Sequence, residues 1–413
     1  MDPTINAADT AWMLVATGLV MLMTPGLALF YGGMVHGKNV LSTFMHSFFA
    51  LGLVTVQWVL IGYSLSFGTS WHGLIGGFDF VFLRGVGVEP RGSIPHIIFM
   101  MYQGMFAVIT PALISGAYAE RFKFSAYVLF TLLWTTLVYD PIAHWVWAAD
   151  GWLLKDGALD FAGGTVVHLS SGVSALVCAI VVGKRIGQGV HQPHNLTMTV
   201  TGAGILWFGW FGFNAGSALT SGGLAAMALV NTHVAAAAGA LAWGFVEQMR
   251  IGKVTMLGVA SGLVAGLVGI TPAAGYVAPM GALAIGALAG LVCYGGVLLK
   301  GKLGYDDALD AFGVHGIGGA LGALLTGVFA TKVVNEAGAD GLIHGNVALL
   351  GKQALGLVAA GAYAAVVTFI LLKVLDKTVG LRVEKDEERE GLDAVLHGEA
   401  GAVSGLTGGH LRE

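Results

Sequence analysis

Long apolar runs separated by short polar loops set the pattern of this chain. A membrane-crossing helix needs roughly 17–25 apolar residues. Runs of that kind fall near 10–35, 40–67, 96–119, 124–147, 162–183, 196–216, 223–247, 256–272, 279–299, 308–330 and 347–375, which predicts eleven helices. Gly and Pro in "GITPAAGY" interrupt the end of the eighth. The first run lacks the basic stretch of a signal peptide and is too long for one, so it reads as a span without cleavage. The longest loop, about 68 to 95, is short and Gly-rich. The organisation expected is therefore one membrane domain, residues 1–378, and a polar tail, residues 379–413.

Charge orients this all-α membrane protein. Lys and Arg concentrate in cytoplasmic loops. Loops after odd-numbered spans hold nine of them (Lys38, Arg121, Lys123, Lys184, Arg185, Arg250, Lys253, Lys300, Lys302), and loops after even-numbered spans hold five (Arg84, Arg91, Lys155, Lys332, Lys352). The expectation is an N-terminus outside and a C-terminus inside, and the basic residues from Lys373 onward agree with it. Only 11% of the residues are charged against 56% hydrophobic, and the 65 glycines suit close helix packing in lipid. A net charge of −4 gives no reason to expect nucleic acid. Cys178 and Cys293 lie in apolar runs and suggest neither a disulfide nor a thiolate site.

Within the apolar spans an ionisable residue costs at least about 2.5–3.5 kcal/mol and is a functional candidate by default. His168 lies in the fifth span and His315 in the tenth. Two five-helix units in series must enter the membrane from opposite sides. The chain thus reads as a five-plus-five inverted repeat followed by a final helix, with the two histidines at matching positions. Each is flanked by Gly and preceded by an acid, Asp160 in one case and Asp310 in the other. A metal site needs a third ligand, and no His, Cys or carboxylate lies clearly at the same depth.

Aromatic residues form a further group. Tyr102 and Phe106 are spaced i, i+4, as are Phe213 and Ser217, and Trp147 ends the fourth span. An interfacial aromatic belt accounts for Trp145, Trp152 and Trp207. The others fall at the expected outer end, where aromatic faces and one hydroxyl suit a small cation.

These residues resemble the ammonium transporter family (Amt/Mep/Rh), of the bacterial or archaeal Amt type. The resemblance runs from "PGLALFYGGMV" through "ERFKFSA", "YDPIAHWVW", "ALDFAGGTVVH", "GKRIG", "WFGWFGFNAGSA" and "FGVHGI" to "VGLRVEKDEEREGLD". It implies a homotrimer in the cell's inner (plasma) membrane, each protomer with its own pore, and no cofactor. It places Trp147 and Ser217 at an external ammonium site, Phe106 and Phe213 at an aromatic gate with Tyr102 beside it, and His168 and His315 at a twin-histidine pair. Asp160 matches an acid that supports the external site without being exposed as a ligand, and Asp310 is assigned a similar structural and electrostatic role.

The function expected is ammonium or ammonia transport, with methylammonium as analogue, rather than an enzyme activity. The alternative is a sensor in which ammonium occupancy signals through the tail. No paired Asn-Pro-Ala motifs point to an aquaporin-like channel, and no cofactor ligands point to a redox enzyme. Lys377, Arg382 and Lys385 alternate with Glu384, Asp386, Glu387 and Glu388. A solvated charge run is one reading; the resemblance implies an ordered tail linked to control by a cytoplasmic PII-type signal protein. Arg185, Lys302 and the tail are candidates for that charged surface, with Gly391 turning the chain toward a neighbouring protomer.

Overall fold

The computed structural model describes residues 4–187 and 193–401; the end of the tail, from 402, lies outside the described residues. Among the described residues ten helices are long and apolar enough to cross a membrane: Ala7–Gly32, Gly37–Phe67, His96–Tyr118, Phe124–Asp156, Gly164–Val182, Leu196–Ala218, Gly223–Ile251, Pro279–Leu303, Phe312–Phe329 and Val347–Thr378. The predicted eighth span is the shorter apolar helix Met256–Ile270. It stops where Thr271 and Pro272 begin a run of turns. The long loop folds as two small hairpins, Ser70–Trp71 on Ile75–Gly76 and Pro90–Arg91 on Ile94–Pro95.

The high glycine content is used where backbones touch. A Cβ on Gly239 would lie 2.4 Å from the Gly262 carbonyl, and one on Gly286 would lie 2.2 Å from that of Ala235. The seventh, eighth and ninth spans therefore pack main chain against main chain. The fifth and tenth spans meet as closely, since a Cβ on Gly172 would lie 2.0 Å from the Gly316 nitrogen. Both begin with a π-helical turn, Gly164–Leu169 and Phe312–Gly316. Such widened turns are rare and recur at functional sites. Each of these two turns carries one of the histidines.

The tail is docked against the body of the chain. Leu381 accepts a hydrogen bond from the Lys123 amide at 2.8 Å, and the Val383 amide donates to Arg121 at 3.2 Å. Glu388 pairs with Arg382 and accepts from the Ile186 amide. Gly391, at φ +120°, turns the chain, and the residues after it lie against the second span. There Asp393 accepts from the amides of Leu41 and Ser42 at 3.1 and 2.7 Å. Those amides belong to a helix start, where a carboxylate meets unpaired donors and the favourable end of the helix dipole. Gly172→Ala should force the fifth and tenth spans apart and cost more than the roughly 1–3 kcal/mol of ordinary overpacking. Thermal unfolding in detergent should show this as a loss of several degrees or failure to accumulate.

Candidate functional site

Among the described residues a series of four cavities lies along the chain. The first, of about 130 Å³, is lined by Phe67, Phe99, Gln103, Phe106, Trp147, Phe161, Ser217 and Leu219. Trp147 is held by its indole N–H, which donates to the Asp160 carbonyl at 3.0 Å, and its ring stands edge-on to Phe106. Ser217 donates to the Phe213 carbonyl at 2.9 Å, which leaves its oxygen lone pairs as acceptors. Tyr102 is buried behind the wall. Its hydroxyl lies 2.9 Å from the carbonyls of Gly212 and Phe213 and 3.2 Å from Ser217, so it fixes the sixth span rather than lining the cavity.

Phe106 and Phe213 form the floor, with ring centroids 4.3 Å apart. The two ring planes are tilted by 35° and the rings are in contact. Phe213 sits on the π-helical turn Phe211–Ala215 and stacks on His168, which also stacks on Trp210. Beyond this floor His168 and His315 meet with their Nδ1 atoms 3.3 Å apart and their rings inclined by 18°. For two neutral rings one Nδ1 donates and the other accepts. The pair then offers a free acceptor at one Nε2 and a donor at the other. His168 Nε2 has no hydrogen-bond partner and borders a cavity of about 10 Å³ whose other lining is Met, Leu, Phe, Ile, Val, Trp and His315. That is room for about one water-sized molecule.

Asp160 is used up by the backbone. Its two oxygens accept from the amides of Gly163, Gly164, Thr165 and Val166 at 2.7–3.1 Å. It thus satisfies the unpaired donors at the start of the fifth span and stands beneath Trp147. At the tenth span the same task falls to Asp307, which accepts from Ala311 and Phe312 at 3.0 and 2.8 Å. Asp310 has a different place: at φ +60° it pairs with Lys300 at 2.5 Å. The sequence held the signal, because Asp307 stands eight residues before His315 as Asp160 does before His168.

Below His315 a cavity of about 40 Å³ runs past Tyr31, Ser261 and Asp310. A wider cavity, about 690 Å³, opens at the tail end and includes Lys38, Glu120, Arg185, Lys300, Asp306 and Glu388 in its wall. Arg185 contributes little free charge there, since it pairs with Glu120 at 2.6 Å and Asp306 at 2.9 Å. Burial pushes both carboxyls up, but the His36 and Arg185 contacts hold Glu120 well below its usual range, and Arg185 holds Asp306 at about 2. Lys300, and not Lys302, stands in the cavity wall. Among the described residues no group of three or more His, Cys, Asp or Glu could hold a metal ion.

With this geometry in view, the Ammonium Transporter Family model matches residues 11–402. The chain belongs to that family. It is 54% identical to the ammonium transporter of Bacillus subtilis, over 96% of this chain and 98% of that protein. It is 46% identical to ammonium transporter Amt1 of Archaeoglobus fulgidus, over 96% and 99%. Its structure is similar to the crystal structure of Saccharomyces cerevisiae Mep2, with TM-score 0.86 and 40% identity over 93% of this chain and 89% of that one. It is also similar to a structure described as a sensor Amt protein, with TM-score 0.87 and 30% identity over 94% and 98%.

Asp160→Ala should unpair four buried amides, each worth about 1–3 kcal/mol. A large fall in thermal stability with loss of flux is expected. Asp160→Glu should recover little, because the extra methylene displaces both acceptors.

Proposed function

We propose that the chain carries ammonium across the plasma membrane as a homotrimer, taking it up at the aromatic cavity, removing a proton and passing neutral ammonia along the histidine pair. The observation that carries this reading is the Nδ1–Nδ1 contact of 3.3 Å in an apolar cavity with room for one water-sized molecule. Ammonia is about the size of water and both donates and accepts hydrogen bonds, as the two outer ring nitrogens require.

Energetics decide which species crosses. The cavity at Trp147 offers a cation aromatic faces worth about 0.5–2 kcal/mol, the Ser217 oxygen and the field of the saturated Asp160 carboxylate. Among the described residues no carboxyl group lines the cavity between Phe213 and His315, and an unpaired ion in such a medium costs far more than that attraction returns. Ammonium escapes the penalty by leaving its proton behind. Potassium, of similar size, has no proton to leave. Methylammonium has one, but its methyl group makes it a tighter fit in a cavity of about 10 Å³.

On the topology read from loop charge, the aromatic cavity faces outward and the 690 Å³ cavity faces the cytoplasm. The docked tail and that cavity form the surface on which a PII-type signal protein acts. A sensor role is the second reading, supported by the way Arg382, Glu388 and Asp393 tie the tail to the loops at this mouth.

Proteoliposome flux tests the main reading: ammonium should be carried, methylammonium more slowly and potassium hardly at all. A potassium flux equal to that of ammonium would refute deprotonation. His168→Ala or His315→Ala should abolish or alter conduction while trimers still assemble, as size-exclusion chromatography can check. Deleting residues from Val379 onward should leave trimers that conduct poorly or escape inhibition. A truncated protein that behaves like the full chain would make the tail a passive extension.

A further inference from the structure

Three carboxylates stand close together at the tail-end mouth, and two are already consumed. Asp306 is bound by Arg185, and Asp307 accepts from two amides at the start of the tenth span. Asp310 differs from both. Its side chain is 32% exposed where that of Asp306 is 3% exposed. Among the described residues it is the one carboxyl group in the wall of the 40 Å³ cavity that His315 closes at its other end.

Its partner links that cavity to the next. Lys300 lines the 690 Å³ cavity, donates to the Asp307 carbonyl at 2.9 Å and touches Asp310 at 2.5 Å. One ion pair therefore stands between the last stretch of pore and the open mouth. The backbone of Asp310 is left-handed at φ +60°, a conformation uncommon outside glycine and often kept where function requires it.

We propose that Asp310, held by Lys300, is the exit station at which ammonia leaving His315 takes up a proton and departs as ammonium. This rests on the deprotonation reading above, which leaves a neutral molecule to be reprotonated. In the step the carboxyl O–H bond breaks and an N–H bond forms, giving ammonium and the Asp310 carboxylate. The carboxylate recovers its proton from hydronium in the mouth, which becomes water. The charged and titratable groups around it are Lys300, Arg185, Asp306, Asp307, His315 and Tyr31. Burial pushes the Asp310 carboxyl up, Lys300 and Arg185 pull it down, and Asp306 adds to the rise. The net effect is a raised carboxyl, the direction that a proton donor at this position requires. Asp307 is pushed up to about 6 by burial and by the Asp310 charge, but both its oxygens face amides.

Asp310→Asn tests the step with little change of shape, since Asn tolerates the left-handed backbone. In proteoliposomes of uniform orientation, the maximal ammonium flux should fall at least tenfold and lose its dependence on pH at the tail-end side, with half-saturation on the aromatic side unchanged. Lys300→Gln removes the cation that lowers the carboxyl, so its pH profile at the tail-end side should move to higher pH. A wild-type rate and profile in Asp310→Asn overturns the inference, as does an unmoved profile in Lys300→Gln, which also serves if the first variant does not fold. Parallel potassium flux separates the two readings. If the wild type carries potassium as readily as ammonium, deprotonation itself fails; if potassium is excluded and Asp310→Asn is unchanged, only the exit station fails.

Discussion

Two buried carboxylates hold the ends of two helices that begin inside the membrane, and the pore depends on them. A helix start exposes amides that lipid cannot satisfy. Asp160 takes four of them at the fifth span and Asp307 two at the tenth. With the starts fixed, the π-helical turns aim His168 and His315 at each other, and the contact of Gly172 with Gly316 sets how near they come. An acid in this fold is thus scaffold first. Its main chain can still reach the site, as the Asp160 carbonyl does in accepting the Trp147 indole N–H.

The two mouths of the pore are built on different principles. The aromatic end is a small cavity lined by rings and one hydroxyl, and the nearest carboxyl group, Asp160, is already taken up by amides. The tail end is wide and charged, but its charges are mostly paired with one another: Arg185 with Glu120 and Asp306, Arg382 with Glu388, Lys300 with Asp310. A paired, hydrogen-bonded network has few alternative arrangements. That stiffness suits a surface that loops and tail must present together, and it makes the position of the tail depend on the segments after the first, third and fifth spans.

Sequence alone determined whatever period, length and composition can encode. Spans and their number came from runs of apolar residues, an expected orientation from loop charge, and the pairing of His168 with His315 from the odd number of helices in each unit. The eighth span proved short because the Gly and Pro seen in the sequence end it early. Depth and approach were decided only in three dimensions. Tyr102 shares a helical face with Phe106 but spends its hydroxyl on the sixth span, because the carbonyls of a widened turn there need donors. Gln103, Phe161 and Leu219 reach the aromatic cavity from separate elements, so no local spacing joined them. Asp310 and Asp307 stand three residues apart with opposite fates, since a left-handed backbone at one turns its side chain from the helix amides to the pore. A pattern of side chains records which face of a helix avoids water; which polar atom is left over for substrate depends on the amides and charges that neighbouring segments bring to it.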